Sequence, residues 1–259
     1  MKNKFTKIQL EQHISALKEK VFFNKTKWPH FDLLFEDILK LSKVKNKKIL
    51  FLERGGLYGN ISLFCPLFFK NKTTSFDCSS KFIRSRGSYN KKFVIDKKII
   101  KWPVDKKILH QDLKLKKNFY DLIIVPNLIH HIDEHEKFLK NCNKSLKKKG
   151  LLYIFEPLVR EIHQKPDDYV RFTSFGLENL LNKCNFTVKV KKDIGGPFTV
   201  VAYCIDQALQ YIPKEKNFFL NSFYKENFKK LKELDNKYKK NIFRKNTSFP
   251  MAYSIIATK

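Results

Sequence analysis

The sequence predicts an α/β fold: a doubly wound, mostly parallel sheet with helices on both faces, N-terminal helices and a helical insertion before the last strand. Two observations carry that expectation. Short apolar runs at 49–52, 122–125 and 151–155 alternate with amphipathic stretches, which is how strands buried on both faces read. Residues 49–60, ILFLERGGLYGN, then describe a buried strand that turns on a glycine pair into a helix start. Glycines at such a turn let the backbone approach a ligand closely, and the helix N-terminus behind them offers free N–H groups. A purely steric turn would place the same pair there.

The elements follow in chain order. Over 4–24, Leu10, Ile14, Leu17 and Val21 share one helical face, and Trp28 with Pro29 opens a second helix striped by Phe31, Leu34, Phe35, Ile38 and Leu41. Residues 1–46 therefore read as a helical collar, and 47–193 with 249–259 as the sheet domain. Asn60 starts a helix that Pro66 shortens. TTSFDCSS gives a second strand carrying Asp77, a short strand is expected between Lys97 and Trp102, and Asp112 sits at the edge of an apolar turn. Asp121 to Val125 is a clear strand, broken by Pro126 and Asn127. HEKFLKNCNKSLKKKG reads as a helix stopped by Gly150 as its C-cap, and LLYIFEP follows as a strand. Residues 194–248 hold one apolar and one basic amphipathic helix, placed to cap an acceptor or to join a second copy.

Composition limits the function classes. With 42% hydrophobic and 14% aromatic residues, the chain has enough apolar mass for a full core and is not a disordered protein. A net charge of +28 would ordinarily point to nucleic acid or an anionic membrane. Arginine, however, stands only at 54, 84, 86, 160, 171 and 244, and the rest of the 53 basic residues are lysines spread through every segment. Forked recognition of phosphates and base edges favours arginine, so the charge reads as compositional bias and nucleic acid as the less favoured partner. Five widely spaced cysteines without a CxxC pair indicate neither zinc nor a disulfide framework, and reduced thiols fit a cytoplasmic protein. No signal peptide or membrane span is expected, since no run reaches the ~18 apolar residues a span requires.

Ligands of doubly wound sheets sit at the carboxyl ends of the strands. Glu53, Asp77, Asp112, Asn127 and Glu156 all fall at expected strand ends and would ring one crevice. Asp77 lies 22 positions beyond Gly55, where a ribose diol is gripped in nucleotide-binding sheets and where a plain helix N-cap would also stand. No lysine follows the glycine turn as in GKS or GKT, which argues against a P-loop enzyme. His130 and His131 follow the strand ending at Val125, and histidine is the side chain suited to take a proton near neutral pH. Consecutive helical residues diverge by ~100°, so one imidazole is expected to face the crevice while the other packs.

Two longer runs add a family resemblance. FYDLIIVPNLIHHIDEHEKFLKNCNKSLKKKGLLYIFEP and DDYVRFTSFGLENLLNKCNFTV are similar to the central part of class I S-adenosylmethionine-dependent methyltransferases of the type 11 kind. The resemblance covers about 48–190 and the final strand, AYSIIATK. It implies a Rossmann-like sheet of seven strands and S-adenosyl-L-methionine as cofactor. Glu53, Gly55 and Gly59, with Gly56 beside them, would hold the amino-acid part of the cofactor; Asp77 would bind the ribose hydroxyls, Asp112 with Leu113 the adenine, and Asn127 would lie by the methionine portion. His130 and His131 would stand near the methyl group, and Glu156, His163, Tyr169 and Arg171 near the acceptor. Two positions depart from the family pattern: Leu57 replaces the middle glycine of the loop, and KKKG replaces a proline and double glycine. The activity implied is methyl transfer to a hydroxyl or amine of a small molecule or glycan. RNA methylation through the basic surface and a noncatalytic binding protein are the alternatives.

Overall fold

The computed structural model describes residues 29–42, 46–53, 72–79, 92–95, 98–101, 106–109, 113–163, 165–213, 218–238 and 248–259. The helix expected over 4–24, the loop with Gly55, Gly56, Leu57 and Gly59, the helix from Asn60, and Asp112 lie outside them.

The nine described strands are β1 Lys48–Glu53, β2 Lys72–Ser79, β3 Lys92–Ile95, β4 Lys98–Lys101, β5 Lys106–Leu109, β6 Tyr120–Pro126, β7 Leu146–Pro157, β8 Thr187–Ile194 and β9 Ala252–Thr258. Seven form one sheet in the order β5-β2-β1-β6-β7-β9-β8, and β3 with β4 makes a separate antiparallel hairpin. The five strands from β5 to β7 run parallel, while β9 is inserted antiparallel between β7 and β8. The expected seven-stranded, mostly parallel sheet is thus present. Its third strand in sequence is β5, whereas the strand anticipated between Lys97 and Trp102 belongs to the hairpin. KKIL is too short and too basic to announce a strand. The order of strands reverses between β1 and β6, the switch point beside whose carboxyl ends doubly wound sheets take their ligands.

Both faces of the sheet are covered, as its near-continuous apolar strands require. On one face Leu50, Leu52, Ile123, Val125, Leu152, Ile154 and Ile255 meet Phe138, Leu139 and Cys142 of α2 (His135–Ser145) and Leu177 and Leu181 of α3 (Ser174–Lys183). On the other lies α1 (Pro29–Ser42), with Leu34 and Ile38 fully buried. Asp37 of α1 accepts hydrogen bonds from Tyr153 Oη at 3.4 Å and Ser254 Oγ at 3.2 Å, and pairs with Lys192 at 2.9 Å. One carboxylate thereby ties the helix to β7, β9 and β8.

The helical insertion between β8 and β9 consists of α4 (Pro197–Ala208) and α5 (Phe218–Lys237). Asp235 of α5 accepts from Phe198 N at 3.0 Å and Thr199 N at 2.8 Å, so the second helix supplies the N-terminal cap of the first. Gly196 is required there: a Cβ would stand 2.6 Å from Asp235 Oδ1. Val200, Ala202 and Tyr203 join Met251, Val159, Phe228 and Leu231 in a small satellite core.

α2 ends at Ser145, earlier than the expected stop at Gly150, because Leu146 is already extended and pairs with Tyr120. Pairing resumes at Leu122 with Leu151, so Lys147 to Gly150 form an irregularity at the foot of β7. Lys149 takes the left-handed conformation (φ 62°), and a Cβ on Gly150 would meet the Lys147 carbonyl oxygen at 2.8 Å. A lysine in that backbone region costs about 1 kcal/mol relative to glycine. Lys149→Gly should therefore raise the Tm by about 2–4 °C, and Gly150→Ala should lower it; thermal unfolding of the two variants reads both signs.

Asp121 anchors the same foot. It accepts from Lys48 N at 2.9 Å and pairs with Lys147 Nζ at 2.9 and 3.0 Å, linking β1, β6 and β7. Burial opposes its ionisation, but the Lys48 N–H and the Lys147 ammonium outweigh that and hold the carboxyl below its usual range. A depressed pKa gives stability that is complete above about pH 4 and is lost as pH falls through the folded value. Asp121→Asn should thus cost about 1 kcal/mol at pH 7, and the difference from the parent should shrink toward pH 3 in urea titrations.

Candidate active site

The carboxyl ends of the parallel strands bring the expected polar residues to one edge. Glu53 ends β1 and lies in register with Asp77 of β2. Asn127 follows β6, buried, its N–H donating to Phe155 O at 2.8 Å. Its left-handed backbone (φ 49°) turns the chain out of the strand, a conformation asparagine tolerates better than most residues. Leu113 is buried in the main core beside this edge. Gly55, Gly56, Gly59 and Asp112 lie outside the described residues. A cavity lined by Lys47, Asp121, Lys147, Lys148 and Lys149 lies at the opposite, amino-terminal edge.

Beyond Asn127 the chain makes a single 3-10 turn, Ile129–His131, and Glu156 at the end of β7 closes on it. Glu156 is 1% exposed. Its Oε1 accepts from Leu128 N at 2.9 Å and Ile129 N at 2.7 Å, and its Oε2 lies 2.6 Å from His130 Nδ1. A carboxylate in this setting accepts, so His130 Nδ1 carries a hydrogen and donates it to Glu156. Among the described residues nothing bonds to the buried His130 Nε2.

The segment between β7 and α3 folds over the turn. His131 Nδ1 is bonded to the Asp167 carbonyl, and Tyr169 N donates to His130 O at 2.9 Å. Tyr169 Oη donates to Asp167 Oδ1 at 3.0 Å. Arg171 forks onto Asp168 at 2.5 and 2.8 Å and donates to Glu161 O at 3.1 Å. His163 N donates to Asp168 Oδ2 at 2.9 Å, and His163 Nδ1 lies 3.1 Å from both Glu161 O and Asp168 Oδ2. Burial, then the nearby Arg160 charge and His130, pull the His163 pKa down to about 4, so this imidazole is neutral at neutral pH. Tyr203 of α4 donates to the Glu161 carboxylate, joining the insertion to the same segment.

His130 and His131 do not diverge as an α-helix would make them. Their rings lie 4.0 Å apart, and the His163 ring stands 5.3 and 4.8 Å from them. Arg171 is engaged by Asp168, whose carboxylate side chain is only 2% exposed. Two linking residues escaped the sequence reading, Glu161 and Tyr203. Nothing local signalled the contact across 42 positions between Glu161 and Tyr203.

Residues 52–154 match the family model described as a methyltransferase domain, type 11, and the sheet around them has the strand order laid out above. Over those residues the chain is similar to a methyltransferase domain. Solved structures share the methyltransferase fold. A protein provisionally named sarcosine dimethylglycine methyltransferase from Galdieria sulphuraria is 14% identical, with 88% of this chain and 85% of that one covered and a TM-score of 0.53. Phosphoethanolamine N-methyltransferase 2 of Haemonchus contortus, in complex with S-adenosyl-L-methionine, is 16% identical with a TM-score of 0.56; 96% of this chain is covered, but only 57% of that one. The [4+2]-cyclase SpnF, 16% identical with 88% and 80% covered, gives a TM-score of 0.52. No curated protein sequence matches.

The buried Glu156 contacts yield a direct test. In Glu156→Gln the amide oxygen can still accept from the backbone, but its NH2 faces the hydrogen on His130 Nδ1. The variant should lose about 1–3 kcal/mol, and His130 should switch tautomer, which the nitrogen shifts of its ring report by NMR.

Proposed function

We propose that the protein transfers the methyl group of S-adenosylmethionine to a hydroxyl or amine of a small molecule or glycan. The observation that carries this reading is the switch point between β1 and β6, with Glu53 and Asp77 in register on one side and Asn127 and the histidine turn on the other. Acids and carboxamides suit a cationic sulfonium, and no lysine occupies these strand ends. When bound, the cofactor supplies an electrophilic methyl group. Glu53 and the loop glycines Gly55, Gly56 and Gly59 hold its amino-acid end, Asp77 the ribose, Asp112 and Leu113 the adenine, and Asn127 the methionine side.

The residues of the turn then prepare the acceptor. In-line displacement needs alignment, exclusion of water and, for a hydroxyl, removal of a proton. His131, its Nδ1 hydrogen held by the Asp167 carbonyl, offers the opposite nitrogen as proton acceptor. Glu156 positions His130 beside it. Tyr169 and Arg171 hold the overlying segment through Asp167 and Asp168 and border the acceptor. The methyltransferase neighbours named for small amines support a small acceptor. The cyclase neighbour shows that the fold alone does not fix the chemistry.

Isothermal titration with S-adenosylmethionine and its demethylated product tests the reading, with micromolar binding expected. No heat from either ligand would overturn it in favour of a noncatalytic protein. Gly55→Val should abolish binding by filling the loop, whereas Leu57→Gly should preserve or strengthen it. RNA retention is expected to lack sequence preference and to fade with salt as nonspecific binding does; a sequence-selective RNA would replace the small acceptor.

A further inference from the structure

We propose that His130, His131 and His163 form a site for a divalent transition metal of the zinc class. One ring nitrogen from each lies within 4.8 Å of the others. Each Nδ1 is already engaged by an oxygen: the Glu156 carboxylate for His130, the Asp167 carbonyl for His131, and the Glu161 carbonyl with the Asp168 carboxylate for His163. All three oxygens accept hydrogens, so each ring donates from Nδ1 and Nε2 is the nitrogen it would offer an ion. That is the outer arrangement that orients metal-binding imidazoles, in which the second ring nitrogen donates to a carboxylate or carbonyl. His130 meets the further requirement of a buried donor atom with no protein partner among the described residues.

The donor chemistry selects the metal. Three imidazoles suit zinc, copper, nickel or iron, whereas magnesium and calcium prefer oxygen ligands. Three protein ligands also leave a tetrahedral ion one open position, as in catalytic rather than structural zinc sites. Zn–N bonds near 2.05 Å place tetrahedral nitrogens about 3.3 Å apart, so the cluster must tighten by about 1.5 Å. His163 is the member able to move. It lies on the segment between β7 and α3, outside any helix or strand, and its side chain is 14% exposed against 1% for His130. The exposed side of His163 is also the entry path.

The surrounding charges leave one carboxylate in excess to offset part of the ion's charge. Glu156 meets His130, Asp168 and Glu161 flank His163, and Arg171 and Arg160 oppose them from the same segment. Cysteine spacing gave no sign of such a site because its ligands come from two strand ends more than thirty residues apart. An imidazole whose Nε2 holds a metal cannot accept a proton there, so metal occupancy and the proton-accepting role of His131 are alternatives. The site itself stands whether or not methyl transfer does.

The test is a titration of the untagged, chelator-treated full chain with Co(II), followed by visible absorption and by elemental analysis after exchange into zinc. One equivalent should bind with the intense bands of a four- or five-coordinate ion. His163→Ala, with its fold checked by circular dichroism, should weaken binding at least about 100-fold. His131→Gln should do the same while its amide can still donate to the Asp167 carbonyl, and His135→Gln, outside the cluster, should not. A spectrum unchanged from Co(II) in buffer, or an affinity unchanged from the parent in either the His163 or the His131 variant, overturns the proposal. S-adenosylmethionine is titrated into the same samples: cofactor binding without metal binding leaves methyl transfer standing and removes the metal site, and metal binding without cofactor binding does the reverse.

Discussion

The carboxylate of Glu156 is the interaction on which the functional edge depends. It ends β7, yet its acceptor capacity is spent on the turn that follows β6. Without it, the N–H groups of Leu128 and Ile129 would be buried donors with no acceptor, a deficit of the kind that dominates the cost of broken hydrogen bonds. With it, the two central strands are joined beyond the end of their ladder, and His130 is fixed in one orientation. The Tyr169 N–H on the His130 carbonyl then passes the order to the covering segment. A charged residue this deeply buried is retained where its partners are complete, and here two amides and an imidazole complete them.

Much of the fold was legible because its signals are local. Apolar runs marked β1, β6 and β7, the family resemblance marked β9, and Thr173, whose side chain accepts from Gly176 N, caps α3 within the motif that announced it. The misses have physical causes. KKIL hides β5 because a short strand near a sheet edge needs few apolar residues. Gly150 looked like a helix stop, but its absent side chain serves a close approach to the Lys147 carbonyl instead. The pairing of the histidine rings was hidden because a 3-10 turn, braced from another strand, replaces the α-helical spacing assumed for them. The site was legible as a list of residues and not as a network: Glu156 reads as one more polar strand end until its three partners are seen, and the link from Tyr203 to Glu161 has no signature within either segment.

Variation between relatives of this fold is expected to reside in what covers the sheet rather than in the sheet. Here the cover is the segment from 158 to 173 and the two helices of the insertion, and the two are not independent. Tyr203 holds Glu161, Leu158 and Val159 both donate to Met251 O, and Asp235 binds α4 to α5. The exposed rings of Phe218 and Phe219 lie at the start of α5, outside this network. The hydrogen-bonded part of the cover thus lies beside the segment that carries His163, while exposed apolar side chains remain at Ile162, Tyr211 and the start of α5.

The placement of β9 has a consequence for how the chain reaches this state. β7 and β8 both pair with a strand that follows them in sequence, and β8 is separated from it by the whole insertion. During synthesis the parallel strands and their helices can assemble while the β7 and β8 edges still display a row of unpaired backbone groups. Open edges of that kind recruit foreign strands. α4 and α5, made in the interval and clamped through Asp235, are the neighbours present while the edge waits, and β8 carries Lys189, Lys191 and Lys192, the sort of charge that discourages strangers from docking. The last strand to arrive is thus the one that seals the sheet.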